Sequence, residues 1–181
     1  MKMIIKILIG LILLIVIVLI IGLFTRKNYT VKREITVNQP SQKVFNYIKF
    51  LKNQKFYSKW VMADPNVKSE YRGNDGYPGF VHAWEGNKKA GKGEQEIKDI
   101  KEGDRIETEL RFIKPFEGLA FSYISVQKLS ENQSKVQWGF DSKMNYPMNI
   151  MLLFVNMDNM LGKDLEESLV NLKTILEKPQ Q

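Results

Sequence analysis

The chain contains no cysteine, which removes disulfide staples, thiolate nucleophiles and thiolate metal sites together. It has one histidine, His82, and a zinc site needs several His, Cys or carboxylate ligands in defined geometry, so no metal is expected. No G-x-S-x-G elbow is present to build a serine triad around that histidine. A phosphate-cradling loop is missing too: Gly91-Lys92-Gly93 lacks the strand-then-helix setting of a dinucleotide fingerprint and reads as a turn opening a strand. No cofactor is expected. Basic blocks are absent as well. Of the 27 Lys/Arg only Lys2 and Lys6 precede residue 7, against 20 Asp/Glu that all follow residue 24, so the remainder carries a scattered +5. Dispersed charge of this kind is a solvated surface and argues against nucleic-acid binding.

What the chain does have is an apolar run, Ile7 to Phe24, of eighteen residues without a charge, proline or amide. At about 1.5 Å per helical residue it reaches about 27 Å, and with Met3 to Ile5 the span of about residues 4–24 matches a hydrocarbon core of about 30 Å. A cleaved secretory signal has a shorter apolar stretch, about 7 to 15 residues, and small residues at the cut. Here the run ends Gly22-Leu23-Phe24-Thr25-Arg26-Lys27, with no small-x-small site. A buried soluble helix would need apolar surroundings on every side. The expectation is a single-pass membrane anchor, residues 1–28 with a short polar linker, followed by one domain, residues 29–181. Lys2 and Lys6 lie before the span and Arg26, Lys27, Lys32 and Arg33 after it, a balance that places the domain on the cytoplasmic side.

The domain has about 150 residues, enough for one core that buries about 68–70% of its unfolded surface. Tyr29 to Val37 alternates as a strand, with Val31, Arg33, Ile35 and Val37 on one side. Asn38-Gln39-Pro40-Ser41 ends it, and Ser41 is the expected N-cap of a helix carrying Val44, Phe45, Ile48 and Leu51. A second short helix is expected around Gln54 to Ser58. Six strands follow, near Val67–Gly73, Gly79–Glu85, Gly93–Ile100, Asp104–Phe112, Leu119–Lys128 and Ser134–Met144, split by turns such as Asn74-Asp75-Gly76 and Lys101-Glu102-Gly103. Ile150, Phe154, Met157, Leu161, Leu165, Leu169, Leu172 and Leu176 then recur at intervals of three or four, predicting a long terminal helix that stops near Lys178-Pro179.

Pro40-Ser41-x-x-Val44-Phe45, the tryptophan of Ser58-Lys59-Trp60, the stretch Pro78-Gly79-Phe80-Val81-His82-Ala83-Trp84-Glu85-Gly86-Asn87 and Gly91-Lys92-Gly93-Glu94-Gln95-Glu96-Ile97 occur in this order. With the element order they resemble the START-like, or SRPBCC, superfamily in its polyketide cyclase-like branch, over about residues 29–178. That superfamily includes lipid-transfer domains and the birch-pollen allergen group. The resemblance implies an α+β helix-grip fold: a seven-stranded antiparallel sheet wrapped around the C-terminal helix, two short helices after the first strand, and an apolar ligand held in a cavity between sheet and helix. The fold names no substrate by itself.

Alternation places Phe80, His82 and Trp84 on one face of their strand, and the resemblance points that face at the cavity. Trp138, Phe140 and Met144 share a face of the last strand. Trp60, Phe112, Met151 and Phe154 complete the expected wall, which suits a flat or greasy molecule; plain core packing is the competing reading for each. Five of the eight methionines, Met144, Met148, Met151, Met157 and Met160, fall within seventeen residues, where thioethers can mould around a ligand or fill an ordinary core. His82 is a weak catalytic candidate, since an imidazole in an apolar cavity can act as general base; a structural wall residue is the better reading. Glu94, Glu96 and Asp141 are its possible partners, while Glu107 and Glu109 share an outward face. The leading expectation is therefore a membrane-anchored binder of a lipid or other hydrophobic small molecule. A cyclase- or hydrolase-type enzyme and a partner-binding domain resembling heat-shock ATPase activators are the alternatives.

Overall fold

The structure, a computed structural model, describes residues 2–178. Helix α1 (Lys2–Phe24) is long and apolar enough to cross a membrane, and its large side chains are exposed nearly throughout. After the linker Thr25–Lys27 comes strand β1 (Asn28–Val37), then helix α2 (Ser41–Ile48) and a 3₁₀ turn at Leu51–Phe56 where a second helix was expected. Strands β2 (Lys68–Arg72), β3 (Val81–Glu85), β4 (Lys92–Lys101), β5 (Arg105–Lys114), β6 (Gly118–Ser130) and β7 (Gln133–Lys143) follow, and helix α3 (Met157–Glu177) ends the described chain.

The sheet runs β1-β7-β6-β5-β4-β3-β2, antiparallel throughout. Short hairpins join neighbours from β2 to β7, and only β1 pairs with a distant partner, Val31 standing opposite Phe140. Antiparallel order sorts the loops into two ends. The start of β1, the end of β7 and the connections 61–67, 86–91, 115–117 and 144–156 share one end, next to α1; the connections 38–40, 73–80, 102–104 and 131–132 share the other.

Alternation decides which face is inside. Ile97, Ile106, Ala120, Ile124, Val126, Val136 and Trp138 are buried on the concave face, where Leu165, Leu169, Leu172 and Leu176 of α3 meet them at helical spacing. Burying each isoleucine, valine or leucine of this set contributes about 1.5–3 kcal/mol. The convex face is ionic: Arg111 bridges Glu94, Glu96 and Glu109, and Arg72 joins Glu94.

Two expected helix starts are corrected. Ser41 is the first helical residue and not the cap; Pro40 holds that place and its carbonyl accepts from the Lys43 and Val44 amides. The terminal helix does not begin near Ile150. A 3₁₀ turn spans Met148–Leu153, and α3 starts only at Met157, where the Asn156 side chain accepts from the Asn159 amide and satisfies one of the free first-turn donors.

Candidate functional site

A cavity of about 290 Å³ lies between the concave face and the elements that cover it. Its aromatic wall comes from Trp60, just before a 3₁₀ turn at Val61–Ala63, Trp84 on β3, Phe112 on β5, and Trp138 and Phe140 on β7. Trp60 meets Trp138 edge-on at 6.0 Å between centroids, and Trp84 meets Phe112 edge-on at 6.2 Å, geometries that favour aromatic pairs. Gly93, opposite Trp84 on β4, makes room for this: a Cβ there would fall 2.6 Å from the indole Cζ2 and from Arg111 O.

All three indole N–H groups are satisfied within the protein. Trp60 Nε1 donates to Asp164 Oδ2 at 3.0 Å, Trp84 Nε1 to Ala90 O at 3.0 Å, and Trp138 Nε1 to Ser122 Oγ at 2.9 Å. These bonds fix the rings and leave their carbon faces for an occupant. A short polar strip crosses the wall. Gln95 Nε2 donates to Thr108 Oγ1, which donates to Ser122 O, while Ser122 Oγ donates to Gly139 O. Among the described residues the Gln54 side-chain amide, the Gln95 carbonyl and one His82 ring nitrogen have no protein partner.

His82 is 3% exposed, with Nε2 at 3.1 Å from Ser69 Oγ and its ring stacked on Tyr71 at 4.9 Å. Burial drives its pKa below the ordinary imidazole value, partly opposed by the charge of Asp75, so the ring is neutral at pH 7. The three carboxylates considered as its partners lie elsewhere. Glu94 is held below the usual carboxylate range by its bond to Arg72, and Glu96 by its bond to Arg111, both on the convex face. Asp141 accepts from Thr30 Oγ1. Among the described residues no Asp or Glu lines the cavity, and no cluster of three or more His, Cys, Asp or Glu is arranged to hold a metal.

Of the residues expected in the wall, Trp60, His82, Trp84, Phe112, Trp138 and Phe140 border the cavity and four do not. Phe80 shares the inward face but lies two residues deeper, fully buried and stacked on Tyr71. Met144 is half-buried beside the linker, its amide donating to Lys27 O. Met151 is 43% and Phe154 83% exposed, because the interruption before Met157 breaks the helical phase that would have turned them inward. Gln54, Ser58, Gln95 and Ser122 were missed. The signal for the last two was present: each is polar on the core-facing phase of its strand.

No protein-family model matches the chain, and no curated protein matches it. Solved structures do. Norcoclaurine synthase from Thalictrum flavum, in complex with dopamine and hydroxybenzaldehyde, aligns over 90% of this chain and 94% of its own at TM-score 0.62 and 10% identity. Ginseng major latex-like protein 151 from Panax ginseng aligns over 84% and 100% at 0.62 and 14%. Protein CV1439 from Chromobacterium violaceum aligns over 83% and 98% at 0.59 and 13%. At these identities the likeness shows the fold alone, a Bet v 1-like helix-grip fold.

Proposed function

We propose that the protein is a membrane-anchored binder of a hydrophobic small molecule, held in the cavity between sheet and α3, with the domain on the cytoplasmic side. The observation that carries this is the cavity itself: about 290 Å³, walled by five aromatic rings whose polar N–H groups are already engaged. The volume sits near the lower end of small-molecule sites, roughly 300–1,000 Å³, and favours one ring system or one acyl chain over a complete two-chain lipid. Gln54, Gln95 and His82 supply a polar strip that would take one hydroxyl or carbonyl of an otherwise apolar ligand. Norcoclaurine synthase holds two small aromatic molecules on the same fold, which is consistent with such a ligand. An open interior argues against the partner-binding reading.

The experiment is solvent extraction of the full chain purified from membranes in mild detergent, followed by mass spectrometry. A defined apolar species at near-equal molar ratio supports binding; extracts holding only bulk lipid and detergent count against it. One observation favours a second reading as an enzyme: a neutral imidazole borders the cavity. General base catalysis by His82 would have to proceed without a carboxylate to orient the ring, and Ser69 and Tyr71 hold it as a wall residue. His82→Ala that retains the extracted ligand supports binding alone, and turnover lost in that variant supports the enzyme.

A further inference from the structure

The connection between β7 and α3 is apolar, turned outward, and fastened to the end of α1. Asn149, fully buried, donates through Nδ2 to Gly22 O at 2.7 Å and to Thr25 O at 3.0 Å. These carbonyls belong to the last turn of the helix and the residue after it, where intrahelical donors run out. Gly22 is buried here, and a Cβ on it would fall 2.6 Å from Ile150 Cγ1, so its bareness lets the 3₁₀ turn press against α1. Tyr146, 40% exposed, packs beside Ile150 at Gly22, and on its other side the segment offers Met148, Met151, Leu153 and Phe154, all 41% or more exposed. At the same end of the sheet, the β5–β6 hairpin exposes Ile113, Phe116 and Leu119. Arg26, Lys27, Lys89, Lys114 and Lys143 are exposed around them.

We propose that Tyr146–Phe154 is an interfacial foot, lying in the headgroup layer of the bilayer that α1 crosses, with the β5–β6 tip as a second contact. This rests on the reading of α1 as a membrane span. Depth argues for it. Three linker residues, Thr25–Lys27, separate α1 from β1 and reach at most about 10 Å when extended. The headgroup layer occupies roughly 5–8 Å on each side of the hydrocarbon core, so only a fully extended linker could clear it, and the Asn149 bonds to Gly22 O and Thr25 O hold this end of the domain at the helix terminus instead. Ile150 touches α1 at Gly22, about 3 Å before the helix ends at Phe24, which sets the 3₁₀ turn level with the hydrocarbon boundary. Apolar side chains gain by burial there, and the surrounding basic residues meet anionic headgroups. The exposed lining residues of the cavity, Ala63, Lys89, Lys114 and Pro115, lie at this same end, so the foot would hold that side of the cavity against the lipid from which an apolar ligand partitions.

The absence of cysteine makes single-site labelling clean. Full-length chains carrying Ile12→Cys, Tyr77→Cys, Phe116→Cys, Met151→Cys or Phe154→Cys, each with a nitroxide, are placed in vesicles of mixed zwitterionic and anionic phospholipid. Collision with dissolved oxygen and with a water-soluble nickel chelate is then read by electron paramagnetic resonance. The labels at 151 and 154 are expected to be several-fold less accessible to nickel than the label at 77, yet open to oxygen, with 116 between. Labels at 151 and 154 as open to nickel as 77, while 12 is shielded, overturn the foot and leave the span intact. Labels at 151 and 154 shielded from both reagents overturn it in favour of a second copy or a protein partner. A label at 12 open to nickel removes the span, and the foot with it.

Discussion

The two ends of the sheet are built for different purposes. The end away from α1 is closed by packing and tied by long-range hydrogen bonds: the Asn38 amide donates to Glu177 Oε1, Lys173 Nζ to Thr36 O, and Ser134 Oγ to Gln39 O. Val37, Val44, Phe45, Ile48 and Leu172 are fully buried there or beside it. The end next to α1 leaves the cavity open and sets Phe116 and Phe154 in the open, 70% and 83% exposed. The tying bonds are concentrated where the ends of β1 and α3 are joined, and the exposed aromatics where the chain leaves α1. Local stability is routinely lower where a site must admit a ligand. In this fold the division follows from topology, because the antiparallel order delivers the longer connections 61–67, 86–91 and 144–156 to one end and the short turns 38–40, 102–104 and 131–132 to the other.

The largest expected effect tests the closed end. Phe45→Ala should destabilise the full chain by about 3–5 kcal/mol, the range for large-to-small core changes, read as a shift in the denaturant midpoint; a loss under about 1 kcal/mol would mean that this end is not where the fold is held. Asn149→Ala removes two buried donors from the junction and should weaken the docking of α1 on the 3₁₀ turn by about 1–3 kcal/mol. Spin-label distances between residues 24 and 119 should broaden; an unchanged distribution would show that Asn149 does not fasten the helix. Leu110→Trp fills the open cavity and should lower ligand affinity at least about tenfold, or about 1.4 kcal/mol, in a fluorescence displacement assay, with little change in melting.

Smaller effects sharpen the same contrast. His82 is buried neutral with a depressed pKa, so its contribution to stability is complete above the unfolded value near 6.5. Below that pH the unfolded chain binds the proton first, and stability falls until the folded pKa is passed. Denaturant titrations at stepped pH should show this loss in the natural chain and a flatter profile in His82→Gln. The smallest effect belongs to the open end: Phe154→Ala should change the stability of detergent-solubilised protein by no more than about 0.5 kcal/mol.

Much of the fold was legible because alternation and helical period are local properties. Ile106, Thr108, Leu110 and Phe112 read as one face of β5, and that face points inward. Leu165 to Leu176 read as a helical stripe, and the stripe is buried. The same local rule failed between Ile150 and Asn156. Ile150 and Phe154 continued the spacing there, but the Asn156 cap restarted the helix and turned Met151 and Phe154 outward. Phe80 carried the correct face and the wrong depth, since periodicity sets direction but not where a cavity ends. Lys89 and Pro115 meet at the mouth only through strand order, which no local pattern contains. Gln95 and Ser122 were readable as polar residues on an inward phase, a departure that usually marks either a satisfied network or a site.

The central claim is that the open end admits an apolar molecule and the aromatic wall retains it. Native mass spectrometry of the full chain purified in mild detergent, compared with Leu110→Trp prepared identically, tests this most directly. A single adduct of defined mass on the natural chain that disappears in the filled variant is the predicted result. Equal spectra from the two proteins, with or without an adduct, would contradict it.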